Sequence, residues 1–271
     1  MKRCKACGSS GIIFNRTIEA GSLGELTLCD CVEKRCTCGG VEPFQIFDEQ
    51  GNHSWCPCRT ARLKLIAIKK AFKESQIPIK YKWKFRKDFI TKELDANNAN
   101  DANKILGFVD TIRDKEPNEK WKVGFYLWGP AGSGKTLLAS IFLQELMLKY
   151  ALPGRFIDLS RQFFQRLKRS YDNADELYGT GGQILDELIY VPFLVIDDFG
   201  VQRNTEWESE MLYTLIDSRY AEERVTIVTS NADIKDHKKV ASGRVYSRIL
   251  EMCKIVHVNL PDYRESLSQH I

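Results

Sequence analysis

Gly129-Pro130-Ala131-Gly132-Ser133-Gly134-Lys135-Thr136 is the stretch that organises the whole chain. It reads G-x-x-x-x-G-K-T, follows an apolar run at residues 123–128 and leads into a helix-forming run at 137–148. Strand, glycine loop and helix in that order make a phosphate-binding P-loop. Its glycines let backbone N–H groups approach phosphate oxygens, and the helix N-terminus adds a favourable dipole. All eight residues then form the cradle for ATP, with Lys135 reaching the β- and γ-phosphates and Thr136 ligating Mg2+.

Four more candidate strands follow, at residues 154–159, 193–198, 225–231 and 254–260, separated by stretches of helical character. Strands alternating with helices predict an α/β fold, with five parallel strands flanked by helices. Phe193-Leu194-Val195-Ile196-Asp197-Asp198 is apolar until it ends in two acids, which is a Walker B pattern. A buried parallel strand carries such carboxylates to the edge of the sheet where phosphates sit. There Asp197 holds Mg2+ through water and Asp198 orients or activates the attacking water. Asn231, at the end of Val225-Thr226-Ile227-Val228-Thr229-Ser230-Asn231, could polarise that water or touch the γ-phosphate, although Asn is also a common turn residue.

Between the strands, residues 162–167 and 183–189 look helical, with Lys168-Arg169-Ser170-Tyr171 and a polar loop ending at Gly179-Thr180-Gly181-Gly182 between them. Arg244 and Arg248 are four apart, on one helix face. Residues 102–113 also carry helical periodicity.

Eight of the nine cysteines lie in the first 58 residues, in close pairs. Cys4 and Cys7 are followed by Cys29 and Cys31, and Cys36 and Cys38 by Cys56 and Cys58. Each half supplies four thiolates around a spacer that carries hairpin material, which suits tetrahedral Zn2+. We read two consecutive zinc ribbons. An interleaved pairing, outer pairs on one ion and inner pairs on the other, fits the count equally well. So small a segment, poor in apolar residues, folds on its metal. Cys253 reads as a buried small apolar residue.

No run is long and apolar enough to cross a membrane, and residues 1–5 have no apolar core behind them, so the expectation is a cytoplasmic protein without a leader. Net charge is +4, but residues 59–87 hold eleven Lys or Arg and one acid, Glu74. Residues 59–75 predict a basic amphipathic helix ended by Pro78. Residues 79–86 then alternate apolar with basic at period two, which predicts a half-buried strand with a solvated basic face. Aromatics interleaved with cations can also bind single strands. The expected organisation is a tandem ribbon region at 1–58, a basic helical linker at 59–78 and an ATPase domain at 79–271.

With these motifs in hand, the chain from about residue 77 onward resembles the AAA+ domain of bacterial replicative-helicase loaders of the DnaC/DnaI type. It also resembles their relatives, the transposition helper ATPases of the IstB type. The matching residues are the P-loop, Leu-Val-Ile-Asp-Asp-Phe-Gly at 194–200, Thr-Ser-Asn at 229–231, Gly-Arg-Val-Tyr-Ser-Arg-Ile at 243–249 and Asp-Tyr-Arg at 262–264. The resemblance implies that Arg248 is an arginine finger acting on a neighbouring subunit's ATP, with Arg244 as a second arginine of that helix and Arg264 as the sensor-2 arginine. Seven residues follow Arg264, so the lid is expected to be reduced or absent and the site to depend on self-association. Residues 161–189 correspond to a segment associated with single-stranded DNA, with Lys168, Arg169 and Tyr171 as candidates. The implied function is ATP-dependent loading of a hexameric replicative DNA helicase, gripped by the zinc region and basic helix. The alternatives are a transposition helper on duplex DNA and a zinc-dependent nucleic-acid adaptor whose nucleotide site only senses. The duplicated ribbon departs from the single cluster expected of the loaders.

Overall fold

Two antiparallel hairpins open the chain in the computed structural model: β1 (Ile12–Asn15) with β2 (Glu25–Leu28), and β3 (Gln45–Phe47) with β4 (His53–Trp55). The structure describes residues 4–15, 24–89, 100, 103, 106–107, 110, 124–159, 163–172, 180–200, 205–238 and 243–262, the side chains of 171, 172, 180 and 181 aside. The chain divides into two compact units, Met1–Lys73 and Glu74–Ile271.

In the first unit a single turn, α1 (Asp30–Glu33), follows β2, and the longer α2 (Arg59–Glu74) follows β4. Their shared core is small: Val32, Phe44, Cys56 and Cys58 are buried, with Leu28, Ile46 and Ala61 against them. So few apolar groups supply little hydrophobic stabilisation, which makes the cysteines the main candidates for holding this unit together.

The second unit is built on a five-stranded parallel sheet. β5 (Gly124–Trp128), β6 (Gly154–Asp158), β7 (Phe193–Phe199), β8 (Val225–Ser230) and β9 (Cys253–His257) stand in the order β6-β7-β8-β5-β9. The central strands are buried on both faces, and for that reason read as continuous apolar runs. The helix after the P-loop, α4 (Lys135–Tyr150), covers one face, its Phe142 against Phe125 of β5 with ring centroids 5.3 Å apart. On the other face a second apolar cluster joins Leu194, Ile196 and Val228 of the sheet to four further helices. These are α5 (Phe163–Asp172), α6 (Thr180–Tyr190), α7 (Glu206–Ala221) and α8 (Arg244–Met252).

Two local expectations are overturned. Residues 79–86 are not a strand: Ile79–Tyr81 is a 3-10 turn, Ile79 is 74% exposed, and α3 (Arg86–Phe89) begins where the alternation ends. The cause is a buried glutamine. Gln144 of α4 accepts the Trp83 N–H (2.6 Å) and donates to the carbonyls of Tyr81 (3.1 Å) and Lys84 (3.2 Å). Backbone groups that a strand would need are thus spent on one side chain. Arg86 then fixes α3 by forked bonds to Glu145 and Asp110. Likewise α5 runs past the expected end at residue 167 through Lys168-Arg169-Ser170-Tyr171, and α6 begins at Thr180, where the polar loop was expected to continue to Gly182, with Gly181 and Gly182 in its first turn. Strong amphipathy carries α5 on, its Phe163, Phe164 and Leu167 buried and its Lys168 and Arg169 exposed.

Candidate nucleotide-binding site and cysteine centres

The P-loop joins β5 to α4 at the carboxyl edge of the sheet, between β8 and β9. Gly129 N donates to Ser230 O (3.3 Å) and Val258 N to Trp128 O (2.7 Å), so neighbours on both sides hold the loop's entry. Gly134 precedes α4 at φ +89°, a left-handed conformation that L side chains rarely adopt, and any Cβ there would strike the Phe89 ring. At Gly132, φ +80°, a Cβ would strike the Asp262 carboxylate. Phe89 and Asp262 therefore frame the loop; the sequence brings up Asp262 only within Asp-Tyr-Arg at 262–264, and Phe89 not at all. Lys135 is buried, and its ammonium donates to the carbonyls of Gly129 (2.9 Å) and Pro130 (2.6 Å) of the same loop.

The acids of β7 owe their geometry to a bulge. Ile196 pairs with Val228 but Phe199 with Ser230, so β7 spends one residue more than β8 at Asp197 and Asp198. Asp198 takes φ +58° there, a conformation Asp tolerates better than most residues. The extra residue re-aims the two carboxylates. Thr229, beside them on β8, donates to Asp197 Oδ1 (2.5 Å) and accepts the Asp198 N–H (3.1 Å). Burial pushes the Asp197 carboxyl up to about 6; the charges of Asp198 and Asp158 act in the same direction, and hydrogen bonds from Thr229 and Thr136 oppose them. Thr136 and Asp197 thus lie close enough to interact, and both carry oxygen donors of the kind Mg2+ takes. Asp158, the residue paired with Asp197 on β6, adds a third carboxylate to this edge.

Behind Asp198 the turn is held by Ser230, whose hydroxyl donates to Phe199 O (2.8 Å) and meets His237 Nε2 (3.2 Å), while the His237 ring packs on Phe199. Thr229, Ser230 and His237 were missed as supports. The available signal was polar residues ending an apolar strand, which a parallel neighbour must bring level with the acids.

The remaining candidates lie elsewhere. Asn231 is exposed just past β8. Arg248 donates to Asp217 Oδ1 (2.7 Å) and lies over the Tyr220 ring, and Arg244 lies over Tyr213, so both lean on α7. Among the described residues no contact joins Arg248 to the P-loop. Arg264 lies outside the described residues.

The cysteines gather in tandem, not interleaved. Cys4, Cys7, Cys29 and Cys31 form one group and Cys36, Cys38, Cys56 and Cys58 the other, the sulfurs of each within 4.8 Å of one another. Cys4–Cys29 is 3.8 Å, Cys7–Cys31 3.6 Å, Cys36–Cys38 3.7 Å and Cys38–Cys58 3.6 Å. Four sulfurs at about 2.3 Å from a zinc ion stand about 3.8 Å apart along the edges of a tetrahedron. Donor type, number and spacing thus fit Zn2+ in both groups. Arg62, with Nη2 3.9 Å from Cys36 Sγ, brings positive charge to the second. His53 is not a member of either group.

Known proteins agree with this architecture. Residues 90–270 match the family described as IstB-like ATP binding protein. The replicative helicase loader DnaC of Escherichia coli K12 is 29% identical over 128 residues, covering 46% of this chain and 49% of that protein. The chain thus spans about half the length of the curated relatives it matches. Among solved structures, the DnaC helicase loader superposes with a TM-score of 0.56 at 24% identity, over 66% of this chain and 99% of that one. DnaI gives 0.54 at 22%, over 70% and 95%. At these identities the structures speak for the fold, which is the AAA+ fold. Among the described residues no helix is long and apolar enough to cross a membrane. With two thirds of its length matched, the chain belongs to the IstB-like ATP-binding protein family and shares the fold of the DnaC and DnaI helicase loaders.

Proposed function

We propose that this protein is an ATP-dependent loader of a hexameric replicative DNA helicase, acting in the cytoplasm. The observation that carries the ATPase half is the bulge that brings Asp197 and Asp198 to the P-loop edge, bridged by Thr229. A fold that served only to sense nucleotide has no need of a second, re-aimed carboxylate. In this reading residues 129–136 cradle the phosphates and Lys135 turns from its loop carbonyls to the β- and γ-phosphates. Thr136 and Asp197 would hold Mg2+, which would supply charge neutralisation at the phosphates. Asp198 takes the water's proton, Asn231 orients the water, and Arg248 of a neighbouring copy, with Arg264, completes the site. Self-association is then part of catalysis.

The helicase-gripping surface is assigned to the zinc-ribbon unit and to α2, whose Leu63 and Ile66 are exposed among lysines. Exposed Lys168 and Arg169 on α5, with Tyr171, contact single-stranded DNA. ATP binding favours the helicase-bound state and hydrolysis releases it, which requires differential affinity for the two states.

Co-purification with the native replicative helicase, with and without ATP and with Lys135→Ala, tests the reading. A complex that responds to nucleotide supports it. The family match favours a second reading, a transposition helper on duplex DNA. Absence of a helicase complex under every nucleotide condition, together with duplex binding, establishes that one instead.

A further inference from the structure

The outer face of the second ribbon carries a ladder of rings. In the β3–β4 hairpin Gln45 pairs with Trp55 and Phe47 with His53, so these four side chains share one face, while Ile46 turns inward to the core. Phe47 is 70% and Trp55 51% exposed. Ring centroids run from Phe47 to His53 at 6.5 Å and from His53 to Trp55 at 6.1 Å. The guanidinium of Arg59 then lies 3.9 Å from the Trp55 ring centroid. Among the described residues Arg59 has no acidic partner and its Nε no hydrogen-bond partner. Asp48 stands at the hairpin's far end, occupied by the N–H groups of Gln50 and Asn52. From Arg59 to Lys73 the chain adds six cations and no acid.

Large rings held in water on a hairpin, with a cation stacked at one end that has no acidic partner among the described residues, do nothing for the ribbon's own core. We propose that this face is a stacking platform for single-stranded nucleic acid, separate from the ATPase site and independent of the loader reading. Unpaired bases stack on Phe47 and Trp55, with His53 between them, and the phosphates run past Arg59 onto the basic start of α2. The charge favours a polyanion over an apolar peptide, and the π-faces favour bases without regard to sequence. A duplex, whose bases are already stacked, does not fit.

Binding of a short fluorescein-labelled oligothymidylate to the full zinc-loaded chain, read by anisotropy without nucleotide, tests this. Trp55→Ala is expected to weaken binding roughly 5- to 150-fold, the range set by loss of one stacked base. Trp55→Phe is expected to restore it, because a ring suffices. Arg59→Gln is expected to lower the slope of log affinity against log salt by about 0.7. Zinc content and circular dichroism establish that each variant is folded. Oligouridylate in parallel distinguishes DNA from RNA, and tighter binding of either supports the platform. Equal affinity of Trp55→Ala and wild type overturns it, as does Trp55→Phe as weak as Trp55→Ala, or duplex competing as well as single strand. Loss of helicase co-purification by Trp55→Ala with unchanged oligonucleotide affinity also overturns it and makes the face a protein-docking surface.

Discussion

Thr229 links the two acids of β7: its hydroxyl donates to Asp197 Oδ1 at 2.5 Å and accepts the backbone N–H of Asp198 at 3.1 Å. One side chain on a neighbouring strand thus sets both the carboxylate proposed to hold Mg2+ and the backbone of the one proposed to activate water. Thr229→Val keeps the shape and removes both bonds. Loss of a hydrogen bond to a charged group costs about 1.5–3 kcal/mol, so we expect turnover to fall roughly ten- to a hundredfold while ATP affinity changes little. Asp198→Ala should bind ATP and lose hydrolysis. Steady-state ATPase and fluorescent-nucleotide titrations check both; wild-type turnover in Asp198→Ala removes its assigned role.

Asp197 gives the fold a pH signature. Its carboxyl is pushed from the ordinary 3.8 up to about 6, chiefly by burial. The folded state therefore holds the proton more tightly than the unfolded state. Its contribution is fully present below about pH 4 and is lost as pH rises through about 6. Relative to Asp197→Asn, wild type should lose about 2–3 kcal/mol between those limits, in chelator and without Mg2+. Urea unfolding of both proteins across this window measures it, and a constant difference contradicts the burial argument.

The two sulfur clusters predict a stoichiometry. The purified chain should carry two zinc ions, and Cys36→Ser should lose one while the first cluster keeps its own. Atomic emission with a chelator titration decides this. Cys36→Ser combined with Cys56→Ser separates the pairings: it loses one ion from tandem clusters, where both cysteines share that ion, and both ions from interleaved ones, where they do not.

Arg248 braces α8 against Asp217, an exposed ion pair worth at most about 1 kcal/mol. Arg248→Ala should therefore leave thermal stability nearly unchanged, abolish hydrolysis alone, and regain it when mixed with subunits that carry the arginine but lack Asp198. A large stability loss, or no recovery in the mixture, assigns Arg248 to the brace.

Among the described residues Arg219 is the largest fully buried side chain. It donates to the carbonyls of Leu188, Ile189, Val191 and Val225 and to the Thr226 hydroxyl, capping α6 and tying it to β8. Burial lowers its pKa to about 9, so it stays charged at neutral pH. Arg219→Met leaves those carbonyls without a donor and should cost about 3 kcal/mol or more, seen as a shift of the urea midpoint.

Arg219 also shows where sequence reading stops. In Asp-Ser-Arg-Tyr it looks like any helical surface arginine, because its partners lie 28 to 31 residues earlier or across a strand. Gln144 is a similar case: a polar residue in an apolar helix decides that residues 81–84 turn instead of extending. The half-buried aromatics of 79–86 alternate as those of a strand do, and nothing local reveals the capture. By contrast, the central strands β5, β7 and β8 are legible as near-continuous apolar runs, as strands buried on both faces are, while the edge strands β6 and β9 carry charged residues and are read from their place in the strand-helix alternation.

Sequence alone determined what depends on local order: the glycine loop between strand and helix, the acids at the end of an apolar run, the cysteine pairs and the alternation that makes a parallel sheet. Those features lie within one or two elements, so residue type and spacing carry them. Only the tertiary structure decided the tandem grouping of the cysteines, the bulge at Asp197 and Asp198, the bridge from Thr229 and the framing of the P-loop by Phe89 and Asp262. Each of these joins residues far apart in the chain, and its geometry is set by strand register and packing.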